Sequence, residues 1–412
     1  KLPVSAGTGP NPDLPEPRNT LIPLVNIARV ARWEDGARPV AAEGLVVNAF
    51  ATGLDHPRWL YVLPYGDVLV AETNPQPKKP KGIVGRVEKL VMSRAGAGVA
   101  SADRISLLRD ANGDGVAETR TVFLSGLTSP FGMSLIGNRL FVANTNGVVS
   151  FPYAEGEAQI NSAGTPLVAL PAGENNRHWT KNLVASADGE HLYASIGSNS
   201  DHAENGIEAE TGRAAIWQID AETGEHRVFA SGLRNPVGMA FEPSTGVLWT
   251  SVNERDDLGG DLVPDYMTSV VDGGFYGWPY SYFGDHLDPR IKDQRPDLVA
   301  TALIPDYALG PHTASLGLTF AEGQALGPAW SDGAFIGQHG SWNRKPRSGY
   351  KVIFVPFANG KPVGEPVDVL TGFLNEDGDA QGRPVGVIVD KSGALLVADD
   401  AGNTIWRVSR SK

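Results

Sequence analysis

The chain has 412 residues, 35 basic and 47 acidic side chains, a net charge of −12 at neutral pH and no cysteine. No basic run offsets phosphate charge, which excludes nucleic acid and anionic membrane surfaces as partners. Without cysteine there are no disulfides, thiolate nucleophiles or Cys-ligated metals, and no segment reaches the roughly 18 apolar residues that span a bilayer.

The chain opens KLPVSAGTGPNPDLPEP, without an initiator Met. This reads as the Pro-rich start of a mature periplasmic or secreted chain. Residues 1–44 carry no repeat and are expected to form an extended arm, with one strand closing the ring.

From Ala51 a phrase recurs. It reads ATGLDHPRWLYVLPYGDVLVAET there, LSGLTSPFGMSLIGNRLFVANT from Leu124, ASGLRNPVGMAFEPSTGVLWTSV from Ala230, and LTGF then GRPVGVIVDKSGALLVADD from Leu370. Degenerate copies start at His178 and Ser315. Each is a Gly-Leu or Gly-Phe turn, a Pro, an apolar run, a Gly-containing turn and a second apolar run ending in polar residues. A strand–turn–strand unit repeating roughly every 50–70 residues predicts a β-propeller. The 49 glycines and 30 prolines suit its many turns. Residues 45–412 are thus expected to form one six-bladed, all-β propeller. The blades are expected near 45–101, 105–153, 166–219, 226–272, 314–357 and 367–408. Trp59, Trp217, Trp249, Trp278, Trp342 and Trp406 sit in or beside strand-like segments, as blade packing requires.

Between these units lie the segments that could carry chemistry. NPQPKKPKG from Asn74 is a Pro/Lys-rich exposed loop. RDANGDGVAET puts Asp110, Asn112, Asp114, the Val116 carbonyl and Glu118 at alternating positions, with Gly115 permitting the turn. That spacing supplies the hard oxygens of a structural calcium site; the alternative is a hairpin with solvated carboxylates. His178 opens a degenerate copy, at the place where other copies have Pro. At an axial strand end it is either a general base, with a pKa near neutrality, or a hydrogen-bonded structural residue.

Basic residues recur next to Pro. Arg58 follows His-Pro, Arg234 and Asn235 precede Pro, and Arg383 precedes Pro384. Read as corresponding positions, they would converge on one axial mouth and bind a polyanionic small ligand. His339, Asn343, Arg344, Lys345 and Arg347 add to them in HGSWNRKPRSGYKV. VNERDDLGGDLVPDY holds Glu254, Asp256, Asp257, Asp261 and Asp265, either a metal-capable or a solvated acidic loop. Residues 273–311 exceed what a blade needs and, being rich in aromatics, predict an ordered lid at the mouth.

HPRWL, GLRNPVGMAF, NERDDLGGDLVPDY, GGFYGWPY, GQHGSWNR and LLVADDAGNTIWRV together resemble the L-sorbosone dehydrogenase-like branch of soluble quinoprotein sugar dehydrogenases. That group is similar to soluble glucose dehydrogenase and aldose sugar dehydrogenase. The resemblance runs from about Leu45 to the C-terminus. It implies a six-bladed propeller holding pyrroloquinoline quinone (PQQ), a tricarboxylate, and calcium in the axial cleft. It implies that His178 is the catalytic base and that Arg234 and Asn235 contact the quinone, with Arg234 stabilising charge on its oxygen. Arg58 and His339 resemble cleft residues of pyranose dehydrogenases, and Arg383 with Arg344 or Lys345 would hold cofactor carboxylates. The cofactor's calcium would lie on backbone carbonyls that map to Arg255 and Asp256, where glucose dehydrogenase has Gly-Pro.

The expected function is therefore oxidation of an aldose or sugar aldehyde, with electrons passed to an external quinone or cytochrome. A calcium-dependent propeller lactonase would instead need Asp and Glu side chains from several blades at the axis. A non-catalytic sugar-binding propeller would need no converging arginines. The fold alone cannot separate these.

Overall fold

In the computed structural model, which describes residues 2–18, 25–77 and 99–411, the repeated phrase straddles two sheets. Its Gly-Leu turn ends the outer strand of one blade, and its Pro starts the inner strand of the next. The six antiparallel blades run in chain order. Blade 1 comprises Pro57–Val62, Val68–Glu72, Arg104–Arg109 and Thr119–Leu124. Blade 2 comprises Met133–Ile136, Arg139–Asn144, Gly147–Pro152 and Thr165–Ala169. Blade 3 comprises Leu183–Ala185, His191–Ile196, Ala215–Asp220 and His226–Ser231. Blade 4 comprises Pro236–Phe241, Leu248–Val252, Pro264–Ser269 and Tyr307–Pro311. Blade 5 comprises Ser315–Phe320, Gly333–Gln338, Lys351–Ala358 and Val367–Thr371. Blade 6 comprises Pro384–Val389, Leu395–Asp399 and Thr404–Arg410, and its fourth strand is Leu45–Ala51 from the start of the chain.

The expected blade borders therefore run early. Leu45–Ala51 does not open blade 1; it pairs antiparallel with Thr404–Arg410 and closes the ring. The arm adds two short edge strands, Thr8–Gly9 on blade 4 and Val40–Ala41 on blade 5. The Pro/Lys-rich stretch passes from Lys78 onward outside the described residues.

The second strand of each blade explains the second apolar run of the phrase. Val68–Glu72, Leu248–Val252 and Leu395–Asp399 are buried at every position. A blade is covered on both faces by its neighbours, so these strands read as continuous apolar runs rather than alternating ones. Each of the six blade interfaces carries its own apolar cluster. Trp59, Trp217, Trp249, Trp278 and Trp406 are buried as expected, while Trp342 is partly exposed.

Neighbouring inner strands touch at small residues. A Cβ on Gly238 would lie 2.6 Å from Leu316 O, and one on Gly386 would lie 2.8 Å from Arg58 O. Gly132 meets the backbone of Asn182 and Leu183 in the same way, and Gly317 meets that of Val385 and Gly386. Beyond this ring Tyr61, Met133, Val184, Ala240, Thr319 and Ile388, one from each blade, line a narrow central channel. On its other side the polar strand ends form the mouth.

Candidate functional site at the propeller mouth

The ring of close approach fixes which mouth residues correspond. Gly238 and Asn182 are equivalent, which makes His178 the counterpart of Arg234, four residues before the ring, rather than of a Pro. Arg383 lies three residues before Gly386, and Arg58 one before its contact residue Trp59. The three arginines thus do not share one repeat phase. They reach the mouth because each segment climbs into it before its strand begins.

His178 is partly exposed. Its Nδ1 lies 3.0 Å from Ser198 O and 2.9 Å from Ser198 Oγ. Ser198 Oγ donates its own proton to Ser200 O at 2.6 Å. Both partners of Nδ1 are therefore acceptors, so Nδ1 carries the proton and Nε2 keeps a free lone pair. Nε2 has no hydrogen-bond partner among the described residues. Burial holds the imidazole pKa well below its usual value, and the Arg234 and Arg177 guanidinium groups lower it further. The imidazole is thereby held in its neutral, proton-accepting form.

Behind His178 stands Gly197. A Cβ there would collide with both His178 Cβ and Asn235 Oδ1. Arg234 is almost fully buried; it donates through Nη2 to Asp201 Oδ1 at 2.7 Å, through Nε to Asp201 O and through Nη1 to Asn253 O. Asp201 also accepts the Asp256 amide at 3.0 Å, and Trp278 of the long loop donates to its carbonyl. Asp256 faces Asn343 Nδ2 at 2.8 Å, His312 Nδ1 at 3.3 Å and, more distantly, Arg177 and Arg234. Both nitrogens of His312 face acceptors, the second being Gly259 O. Burial opposes its charging, but Asp256 raises its pKa above the usual value.

A second group gathers across the mouth around Asp400, which is buried. His339 Nε2 lies 2.9 Å from its carboxylate, His56 Nε2 3.4 Å and Arg58 Nη1 3.6 Å. Burial favours the neutral acid, but these three neighbours hold Asp400 far below the usual carboxylate range. Burial also lowers His339, and His56 to about 4. Arg58 rests on the Trp179 ring and Arg383 on that of Tyr350.

Among the described residues, four buried polar atoms of the mouth have no hydrogen-bond partner: Arg58 Nε, Arg383 Nε, Asn235 Oδ1 and Asn343 Oδ1. A buried polar group left unpaired costs about 1–3 kcal/mol. Four in one cleft, two of them arginine donors and two amide acceptors, mark where a polar ligand would be held.

Not every expected residue stands there. Arg344 is fully buried and committed elsewhere. It donates to Gly260 O, Pro346 O and Leu2 O and pairs with Asp261 at 3.2 Å. This corrects its expected role: it ties the arm to the blade 4 loop, with its donors spent on backbone carbonyls and Asp261. Arg347 is likewise spent on Asn26 O, Ile27 O and Gly378 O. Lys345 is exposed. Arg255 is also turned into the protein, bonded to Glu254, Asp288, Pro279 O and Ser281 O. The Asp256 carbonyl oxygen accepts Arg290 Nη1 at 2.9 Å. Residues 273–311 are ordered, contain the hairpin Ser281–Tyr282 and His286–Leu287, and reach the mouth through Trp278 and Arg290. Their last five residues, however, are the fourth strand of blade 4.

Away from the mouth, ligand oxygens of Asp110, Asp114 and Glu118 lie within 4.8 Å of one another. Asp110 accepts the amides of Gly113 and Gly115, Asn112 that of Asp114, and Asp114 that of Val116, whose side chain is exposed. Asn48 donates to Gly115 O and Ala117 N to Phe50 O, so the loop docks on the ring-closing strand.

Sequence reasoning missed Ser198, Asp201, Arg290, His312 and Asp400. Only Asp400 left a signal: it is the second polar residue after the apolar run of the last copy, directly following Asp399, which ends its strand as Glu72 and Gln338 end theirs.

Residues 36–341 match the family model described as a domain of unknown function, DUF7133, and residues 292–411 match one described as TrAA12-like. A PQQ-dependent sugar dehydrogenase of Hypocrea jecorina is 24% identical over 421 residues, covering 90% of this chain and 90% of that protein. A PQQ-dependent pyranose dehydrogenase of Coprinopsis cinerea is 26% identical over 302 residues, or 58% of this chain. The match spans only 41% of that protein's length. The solved holo form of the pyranose dehydrogenase PQQ domain from Coprinopsis cinerea superposes with a TM-score of 0.73 at 21% identity, covering 93% of this chain and 100% of that one. The six-bladed fold is thereby shared.

Proposed function

The chain belongs to the DUF7133 family, and we propose that it is a quinoprotein oxidoreductase that binds PQQ at the propeller mouth and oxidises an aldose or sugar aldehyde. The observation that carries this reading is the neutral His178, with Nε2 free, beside a cleft of unpaired buried polar groups. The names of the relatives point the same way.

PQQ fits the residues present. Among the described residues Arg58 Nε and Arg383 Nε are buried without hydrogen-bond partners, as a tricarboxylate would need, and Asn235 Oδ1 and Asn343 Oδ1 could accept from an N–H of the ligand. Bound PQQ would supply a two-electron, hydride-accepting quinone. The chain supplies the rest. His178 Nε2 takes the proton of the substrate hydroxyl, and Ser198 keeps the ring in the tautomer that can do so. Arg234, fixed by Asp201, presents positive charge beside His178 and favours an anion forming there. The aromatic loop carrying Trp278 and Tyr282 limits access of water to the mouth. The electrons would leave to an external quinone or cytochrome, in a periplasmic or secreted setting. Among the described residues no helix is long and apolar enough to cross a membrane. For the Asp110–Glu118 loop the reading is a structural calcium that holds the ring-closing strand.

A lactonase would need several carboxylates free to bind one axial metal. Here Asp201, Asp256 and Asp400 are each engaged by Arg or His. The test is to add PQQ to the purified chain, record its visible spectrum, and follow reduction of an artificial dye with a panel of aldoses. Dye reduction is expected. Confirmed PQQ binding without dye reduction on any sugar or alcohol would refute the enzyme reading.

A further inference from the structure

The resemblance offers the carbonyl oxygens of Arg255 and Asp256 to a calcium ion that accompanies the cofactor. The geometry points to a different arrangement, and it rests on the quinone reading above. We infer that Arg290 takes the place of that divalent cation, so that this chain binds its cofactor without metal.

Arg290 comes from the long loop between the third and fourth strands of blade 4, far from Asp256 in sequence. Its Nη1 donates to Asp256 O at 2.9 Å and lies 3.3 Å from Asp201 Oδ2. Its Nε and Nη2 clamp Asp288 at 3.0 and 2.8 Å. The side chain is buried. One guanidinium thus bridges a backbone carbonyl and two carboxylates, an oxygen set of the kind calcium prefers. Two cations cannot share that set, because a calcium on Asp256 O would press against the guanidinium at short range with little solvent to screen it.

Arg255 explains how the substitution is built. Its guanidinium bonds Asp288 at 3.1 Å and the carbonyls of Pro279 and Ser281. It therefore anchors the stretch that carries Arg290. A Gly-Pro at this point could not, so Arg255 and Arg290 act as one unit joined through Asp288. A planar five-donor cation is suited to this bridging and to facing an anionic ligand as well.

The experiment is a titration of PQQ into the full chain, monitored by quenching of tryptophan fluorescence. One arm contains chelator and one contains excess calcium, both at a temperature where the chelated protein is folded. The expected result is the same affinity in both arms, within about twofold. Arg290→Gln should weaken binding at least tenfold in chelator and recover part of it in calcium, whereas Arg290→Lys should remain indifferent to calcium. Wild-type binding that occurs only with calcium overturns the inference while leaving the quinone reading intact. No binding in either arm removes the quinone reading, and this inference with it. Should Arg290→Gln fail to fold, the wild-type arms alone decide.

Discussion

His178 Nδ1 and Ser198 Oγ lie 2.9 Å apart, and the hydroxyl proton is already donated to Ser200 O. Ser198 can only accept from the imidazole, which leaves Nε2 as the proton acceptor at the mouth. Ser198→Ala removes one acceptor and leaves the Ser198 carbonyl. Losing one such bond is worth about 1 kcal/mol. Turnover should fall by up to about tenfold, with little change in KM. The same kcat in wild type and variant would deny Ser198 a positioning role.

The pH profile carries a second expectation. Activity needs neutral His178, so the rate rises with pH as the imidazole deprotonates. Burial, then Arg234 and Arg177, lower that pKa. The acid limb of kcat/KM should therefore fall below pH 6.5, the ordinary value for histidine, and the rate should be level through neutrality. A limb centred above 6.5 would contradict the assigned environment.

Gly197 allows His178 and Asn235 to pack against each other. Gly197→Ala forces a methyl group between them. A misplacement of about 1 Å at a reacting group can cost on the order of a hundredfold in rate. The variant should fold, melt within a few degrees of wild type and lose activity on that scale. Normal turnover would show that the spacing of this pair is unimportant.

These residues also show what was legible in the sequence. The phrase around Pro57, Pro236 and Pro384 revealed the blades because each copy solves the same packing problem. It misplaced their borders because Gly-Leu and Pro belong to consecutive sheets. His178 and Arg234 could be picked out because they interrupt or extend a repeat. Asp201 and Arg290 could not, because they reach the mouth from irregular loops and find their partners 33 and 89 residues apart. Arg344 and Arg255 carried the expected charge, but no local pattern shows whether a guanidinium faces the cleft or the backbone.

The Asp110–Glu118 loop leans on the strand that closes the ring, through Asn48 and Phe50. Asp114→Ala should lower the melting temperature by several degrees. Chelator should lower it in wild type and have little further effect in the variant. PQQ affinity should be nearly unchanged. Identical melting of both proteins with and without chelator would remove calcium from this loop.

Lys181 is fully buried beside Arg213, and among the described residues its amine donates only to Trp179 O, at 3.3 Å. Burial, then Arg213, lowers its pKa from 10.5 to about 7. The folded state binds this proton more weakly than the unfolded state does. Stability therefore declines as pH falls from about 10.5 to 7 and is level below that. Lys181→Met should raise the melting temperature at pH 6–7, and the gain should shrink as pH rises towards 10. A gain independent of pH would show that the amine titrates normally.

The central claim joins a base, His178, to a quinone held at the mouth. The most direct measurement is the anaerobic absorbance of the PQQ-loaded chain after rapid mixing with an aldose it oxidises. Wild type should show the quinone spectrum replaced by that of the reduced cofactor in a single turnover. His178→Ala should bind PQQ with the same affinity and complete that change about 10²–10⁴ times more slowly, the range for losing a general base. Reduction of bound PQQ at the wild-type rate in His178→Ala would contradict the account.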